Sequence, residues 1–137
     1  MTDSSFSDAD YQTLAGFRRA LRGFTYFSEQ AAESVGLTPQ QHQALLAIRA
    51  EKGLIVGELA ERLMVRPHSA TGLADRLTKL GLIIRQPSTK DRRQTELVLT
   101  EKGEALLHSL SESHRAELRR LRPLLSDIHA RKRVYDD

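Results

Sequence analysis

A chain of 137 residues, 39% hydrophobic and 28% charged, is long enough for one domain with a core, and its lack of cysteine excludes disulfides, thiolate nucleophiles and cysteine-based zinc or redox sites. No apolar run approaches the ~18 residues of a membrane span, and the polar, acidic opening MTDSSFSDAD does not read as a signal or transit peptide, so a cytoplasmic protein with no membrane partner is expected. The net charge is only +3 and the pI about 9.5, so any anionic partner must be argued from where the cations sit.

The first helix is expected to start near Asp8 or Asp10, either of which can act as N-cap. Leu14, Phe17, Leu21, Phe24, Ser28, Ala31 and Val35 then step by three and four, with Phe27 widening the stripe, and Gly36 ends it. A helix this long needs something to lie against, so a partner chain is expected. Thr38 caps the second helix, with Pro39 at its first position and Gln41 completing a capping box. Leu45, Leu46 and Ile48 form its apolar face, and Gly53 marks its stop. A very short strand precedes VGELAERLM, a helix with Val56, Leu59, Ala60 and Leu63 on one side. Its cap position holds Leu54 or Ile55, neither of which accepts a hydrogen bond through its side chain.

Pro67 opens a fourth helix whose inward residues are Ala70, Leu73, Ala74, Leu77 and Leu80, and Gly81 stops it. LIIRQ reads as a strand. STKDRRQTELVLT then turns at Lys90, Asp91, Arg92 and Arg93 and returns with Thr95, Leu97 and Leu99 on one face, Glu96 and Val98 on the other. Thr100 caps a long final helix with the stripe Leu107, Leu110, His114, Leu118, Leu121, Leu125 and Ile128, which Pro123 kinks or divides. The order predicts a mainly α fold with a small β-hairpin: a winged helix-turn-helix over 38–100, flanked by long helices at 8–36 and 101–130 in a single chain of 1–137.

The helix opened by Pro67 turns His68, Ser69, Thr71, Gly72, Asp75, Arg76 and Lys79 outward. Small hydrogen-bonding residues at its start allow close approach to base edges, and cations further along reach phosphates. An ordinary amphipathic helix explains the same pattern, but not the cationic hairpin that follows. Arg92 and Arg93 suit an adjacent minor groove, Lys90 a phosphate, and Asp91 a brace for an arginine. Arg85 is either a further phosphate contact or a solvated strand residue.

The segments LTPQQHQALLAI, VGELAERL, HSATGLADRLTKLGLI and DRRQTELVLTEKGEALL, in this order across residues 10 to 125, resemble the multiple-antibiotic-resistance regulator (MarR) family. The resemblance implies a homodimeric repressor that binds a pseudo-palindromic site on double-stranded DNA, with 8–36 and 101–130 as its dimerisation helices. It puts the family's wing Asp-x-Arg on Asp91 and Arg93. The chain departs from the pattern in the missing polar cap before VGELAERL and in a short tail after Pro123. The resemblance also implies release by a small phenolic or lipophilic acid. Phe24, Tyr26, Phe27 and His42 either line that crevice or belong to the dimer core. His42 and His108, with Glu104 or Glu112, echo a zinc-sensing branch but lack a His–His pair at ligand spacing, so neither a metal site nor a cofactor is expected. His114 reads as a hydrogen-bonded interface residue and His129 as tail. Arg115, Arg119, Arg120, Arg122 and the cations at 131–133 read as a solvated face whose charge complements the helix dipole.

No phosphate loop, nucleophile elbow, His-Glu-x-x-His or convergent carboxylate pair points to an enzyme. The competing class is a winged-helix protein-interaction module without operator-specific DNA binding. Such a module has no need of Asp91 and Arg93 with Arg76 and Lys79.

Overall fold

The computed structural model of the chain describes residues 5–120 and 122–123. Helix α1 runs over Asp8–Ser34, α2 over Pro39–Ala50, α3 over Val56–Leu63 and α4 over Pro67–Lys79. Strands β1 (Ile83–Pro87) and β2 (Thr95–Leu99) lead to α5 (Glu101–Glu112), and 115–120 are again helical. The strands form an antiparallel pair in the register Ile83–Leu99 to Pro87–Thr95. The fold is the mainly helical, hairpin-bearing architecture expected.

Helix starts follow their local chemistry. Thr38 accepts from the Gln41 N–H at 3.1 Å while the Gln41 side chain accepts from the Thr38 N–H at 3.0 Å, the reciprocal box read from the sequence. At α1 the cap is Ser7, not Asp8 or Asp10. The Ser7 hydroxyl accepts from the Asp10 N–H at 3.1 Å, and the Asp10 carboxylate accepts from the Ser7 N–H at 2.9 Å. Asp10 is thus the third residue of a capping box. At α3 the capping position holds Ile55, and only the returning half of a box forms, with Glu58 accepting from the Ile55 N–H at 3.1 Å.

The core lies where α2, α3, α4, the hairpin and α5 meet, around Leu45, Leu54, Leu59, Leu77, Ile83 and Leu97. Leu54 extends the sheet edge, its carbonyl accepting from the Leu97 N–H at 2.8 Å. Two expected core positions differ. Leu46 on α2 and Leu80 at the end of α4 are exposed. Leu80 lies past the last residue of α4, at its C-cap, and Leu46 borders a cavity described below. Glu96 is buried at 5% exposure, because Gln86, its cross-strand partner, donates to its Oε1 at 2.7 Å.

The final helix is also not continuous. It breaks at Ser113–His114, where both the Ser113 hydroxyl (2.6 Å) and His114 Nδ1 (2.8 Å) bond the Leu110 carbonyl. That carbonyl would otherwise take the next turn of the helix ladder. Leu121, Leu125, Ile128, His129 and the cations at 131–133 lie outside the described residues. Among the described residues no helix is long and apolar enough to cross a membrane.

One junction ties these parts together. The Thr100 hydroxyl donates to the Gly81 carbonyl at 2.6 Å and accepts from the Gly103 N–H at 3.1 Å, while the Thr100 N–H donates to the Leu82 carbonyl at 3.0 Å. Gly103 packs directly on Leu82: an added Cβ would sit 3.0 Å from the Leu82 carbonyl carbon and closer still to its oxygen. Gly103→Ala is therefore expected to destabilise the chain by about 1–3 kcal/mol in urea unfolding, the usual cost of overpacking. Gly16→Ala, with open space around its Cβ in α1, should instead be neutral or stabilise by up to about 1 kcal/mol.

Candidate nucleic-acid interface

Helices α3 and α4 meet at a tight turn in which Met64 takes a left-handed conformation, φ 56°. Pro67 begins α4, and Arg66 at its cap position provides no side-chain hydrogen bond, so the first N–H groups of α4 are left uncapped by side chains. His68, Ser69, Thr71, Asp75, Arg76 and Lys79 are exposed and Gly72 is half-buried, while Ala70, Leu73, Ala74 and Leu77 face the core. The Thr71 hydroxyl donates back to the Pro67 carbonyl at 3.1 Å. Asp75 and Arg85 are brought together: Arg85 Nη2 donates to Asp75 Oδ1 at 2.6 Å. This pair joins α4 to β1. It also means that Arg85 is neither simply solvated nor an isolated cation.

The hairpin tip is shaped by a residue that the sequence reading passed over. Ser88 is buried, and its hydroxyl accepts from the Lys90 N–H at 3.2 Å and the Asp91 N–H at 3.3 Å. The Ser88 N–H donates to Gln94 O, and the Gln94 N–H to Asp91 O, both at 2.9 Å. Within this frame Asp91 accepts from the Arg93 N–H at 3.0 Å and from its guanidinium at 3.2 and 3.4 Å. These bonds, the backbone one first, hold the Asp91 carboxyl below the usual carboxylate range. Arg93 is nevertheless 91% exposed, a fixed cation at the tip, with Lys90 and Arg92 exposed beside it.

A second feature lies behind the helix-turn-helix. A cavity of about 310 Å³ opens between α1, α2 and the C-terminal helical segments, walled mainly by Phe24, Ser28, His42, Leu46, His114 and Leu118. Phe24 and His42 were expected there. Phe27 is not part of its wall but sets its ring edge-on to His114 at 5.2 Å, and Tyr26 is exposed. His42 and His114 lie 5.8 Å apart between ring centres. Burial, and then the neighbouring His114 ring, push the His42 pKa down. The residues considered for zinc diverge: His108 pairs with Glu112 at 3.3 Å, Glu104 with Arg49 at 3.0 Å, and His42 faces Ser28. Among the described residues no cluster of three or more His, Cys, Asp or Glu side chains converges to hold a metal.

Residues 35–94, which hold the helix-turn-helix and most of the hairpin, match the family model described as MarR family. Along nearly its whole length the chain is similar to the HTH-type transcriptional regulator TtmR of Methylorubrum extorquens, at 30% identity over 94% of this chain and 70% of that protein. The chain belongs to the MarR family. It is also 35% identical to the HTH-type transcriptional repressor MdtR of Bacillus subtilis over 72% of this chain, spanning 63% of that relative's length. Its fold matches the multiple antibiotic-resistance repressor of Listeria monocytogenes, with a TM-score of 0.66, 26% identity and 95% of each chain covered. It also matches a MepR mutant of S. aureus bound to an oligodeoxyribonucleotide, with a TM-score of 0.63 and 22% identity over 92% of this chain and 91% of that one.

In this MarR-family chain, sequence reasoning missed Ser88 and the cavity-lining roles of Ser28, Leu46, His114 and Leu118. His114 carried the only signal, a polar residue inside an apolar stripe. The lowered pKa of His42 gives a stability prediction. Below its ordinary value of 6.5 the unfolded chain binds a proton that the folded chain resists. This contribution is full above that pH and is lost as pH falls from there towards the folded value. The urea midpoint should therefore drop between pH 7.5 and 5.5, and His42→Gln should reduce that drop.

Proposed function

We propose that this chain is a sequence-specific double-stranded DNA-binding transcriptional regulator, a homodimeric repressor released when a small effector enters the cavity behind the helix-turn-helix. The observation that carries the reading is Arg93, fixed by Asp91 at a wing tip whose strand is tied to α4 through Arg85 and Asp75. A cation held in one geometry beside an exposed polar helix suits a groove lined with phosphate.

In this reading α4 enters the major groove. Pro67, His68, Ser69, Thr71 and Gly72 lie near the bases, and the uncapped N-terminus favours a phosphate. Arg76 and Lys79 neutralise backbone phosphates, as do Lys90 and Arg92. Asp75 contributes through Arg85, by orienting the helix against the wing. Arg93 reads the adjacent minor groove, where narrow A·T-rich tracts concentrate negative potential. Residues 38–100 are the DNA-binding lobe, and 8–36 with 101–130 are the dimerisation region, of which 121 and 124–130 lie outside the described residues.

The apolar stripe of α1 supports dimerisation. Leu14, Phe17 and Leu21 are all exposed, Phe17 at 62%, along a helix of 27 residues that reaches the core only near Ala31 and Ala32. A contiguous apolar face of this kind marks an interface. A symmetric dimer presents two α4 helices to half-sites roughly 10 bp apart.

Fluorescence anisotropy with DNA from upstream of the chain's own gene, at two salt concentrations, tests this. Arg93→Ala should weaken binding by ~1–3 kcal/mol, the range of a single readout contact. Lys79→Ala should weaken binding evenly across sequences and lower the salt slope by about 1. Unchanged binding by the Arg93 variant, or equal weak binding to random DNA, would refute the operator reading and bring the protein-interaction class forward.

A further inference from the structure

Helix α1 carries a second stripe on its solvent side. Arg18, Arg22, Glu29 and Glu33 recur at spacings of four, seven and four, so they share one face, roughly a third of a turn from the stripe of Leu14, Phe17 and Leu21. All four are exposed, and among the described residues none of their side chains makes a hydrogen bond or ion pair. Arg115 and Arg120, further along the chain, are instead each paired within their own segment, with Glu112 and Glu117.

This stripe is unfavourable within a single helix. Arg18 and Arg22 are like charges four residues apart, and so are Glu29 and Glu33, an arrangement that weakens a helix. Neither arginine has a carboxylate three or four residues away. Glu33 stands in the last turn, where the helix dipole disfavours an anion and where no basic residue offsets it. An antiparallel copy of the same helix turns these repulsions into attractions. Arg22 and Glu29 lie equally far along the chain from the Thr25–Tyr26 peptide, and so do Arg18 and Glu33. A two-fold axis at that peptide sets Arg22 against Glu29 of the second copy and Arg18 against its Glu33, with each contact made twice. Tyr26, 65% exposed, falls at the axis and brings its ring to the ring of its mate.

We propose that this face of α1 binds a second copy of the chain, antiparallel, through four Arg–Glu pairs around a Tyr26 contact. The face is separate from the apolar stripe, so the proposal goes beyond the homodimer above. Where that dimer forms, the charged face joins two of them into a tetramer with four α4 helices. Exposed pairs are individually weak and screened by salt, so the association belongs to low ionic strength.

Sedimentation velocity of the full chain, without DNA and over a range of protein concentrations, tests this at about 50 mM and about 500 mM NaCl. A concentration-dependent doubling of mass is expected at the lower salt only. Arg18→Glu with Arg22→Glu, and separately Glu29→Arg with Glu33→Arg, should each weaken the doubling by about tenfold or more, because four pairs worth up to about fivefold apiece are lost together. Mixed in equal amounts, these two variants should associate again, since every contact then joins a cation to an anion. A chain with all four changes should also double, which separates loss of pairing from loss of folding. No doubling at low salt, doubling that either variant alone retains, or no association in the mixture would each overturn the proposal. If the homodimer reading fails, the starting mass is that of a monomer and the salt-sensitive doubling remains, so the two failures are distinguishable.

Discussion

The geometry of the winged helix-turn-helix depends on the close approach of Gly103 to the Leu82 carbonyl. Leu82 follows the end of α4 and opens the hairpin; Gly103 lies in the first turn of α5. With no Cβ at Gly103, the two backbones touch, and Thr100 locks the contact by bonding both Gly81 and Gly103. Lys102 adds a bond from its Nζ to the Leu80 carbonyl at 3.0 Å. The end of α4, both strands and the start of α5 are therefore tied together at one junction. A wing hinged only by its two-stranded ladder would be marginal by itself. Here it is anchored at its base by this junction, on its edge by Leu54, and on its face by the Arg85–Asp75 pair.

The electrostatic design follows from that rigidity. An exposed ion pair such as Asp91 with Arg93 contributes little to stability, because solvent screens it and two side chains lose freedom. Its value lies in geometry. The bonds to the Arg93 backbone and guanidinium restrict where a long, flexible cation can point before any partner arrives, which reduces the ordering cost on binding. Arg85 and Asp75 act alike between helix and strand. Both carboxylates sit close to cations, so their charge is offset locally rather than presented to an anionic surface.

Helix caps and stops were legible because their signals are local. Thr38, Pro39 and Gln41 carry a complete box in four residues, and Gly36, Gly53 and Gly81 all adopt positive φ where the chain turns. The Asp91–Arg93 brace was legible for the same reason, being two residues long. Misreadings arose where a distant element decides the outcome. Glu96 alternates with Leu97 and so falls on the opposite strand face, yet Gln86 across the ladder and Gly53 beside it cover its carboxylate. Leu46 reads as core because its neighbour Leu45 is, but the space beside it is the cavity. The break at Ser113–His114 depends on two side chains competing for the Leu110 carbonyl, which periodicity does not encode. Ser7 was overlooked as a cap because two aspartates follow it, and either alone is a plausible one.

Helix α1 joins the two functional readings. One stretch of it, through Phe24 and Ser28, walls the cavity, and the stripe through Leu14, Phe17 and Leu21 is the proposed dimer face. Among the described residues it enters the core at Ala31 and Ala32, and before them Phe24, Phe27 and Ser28 meet His114 and His42. In the proposed dimer, a molecule wedged between α1 and α2 would bear on the angle between each winged helix-turn-helix and the paired α1 helices. A small change of that angle would become a change in the spacing of the two α4 helices of the proposed dimer. A ligand shifts such an equilibrium only by its difference in affinity between the two arrangements. In the proposed release the cavity would have to differ in shape between the two arrangements, and the histidine pair with the Phe24 and Phe27 rings around it is where that difference would be felt.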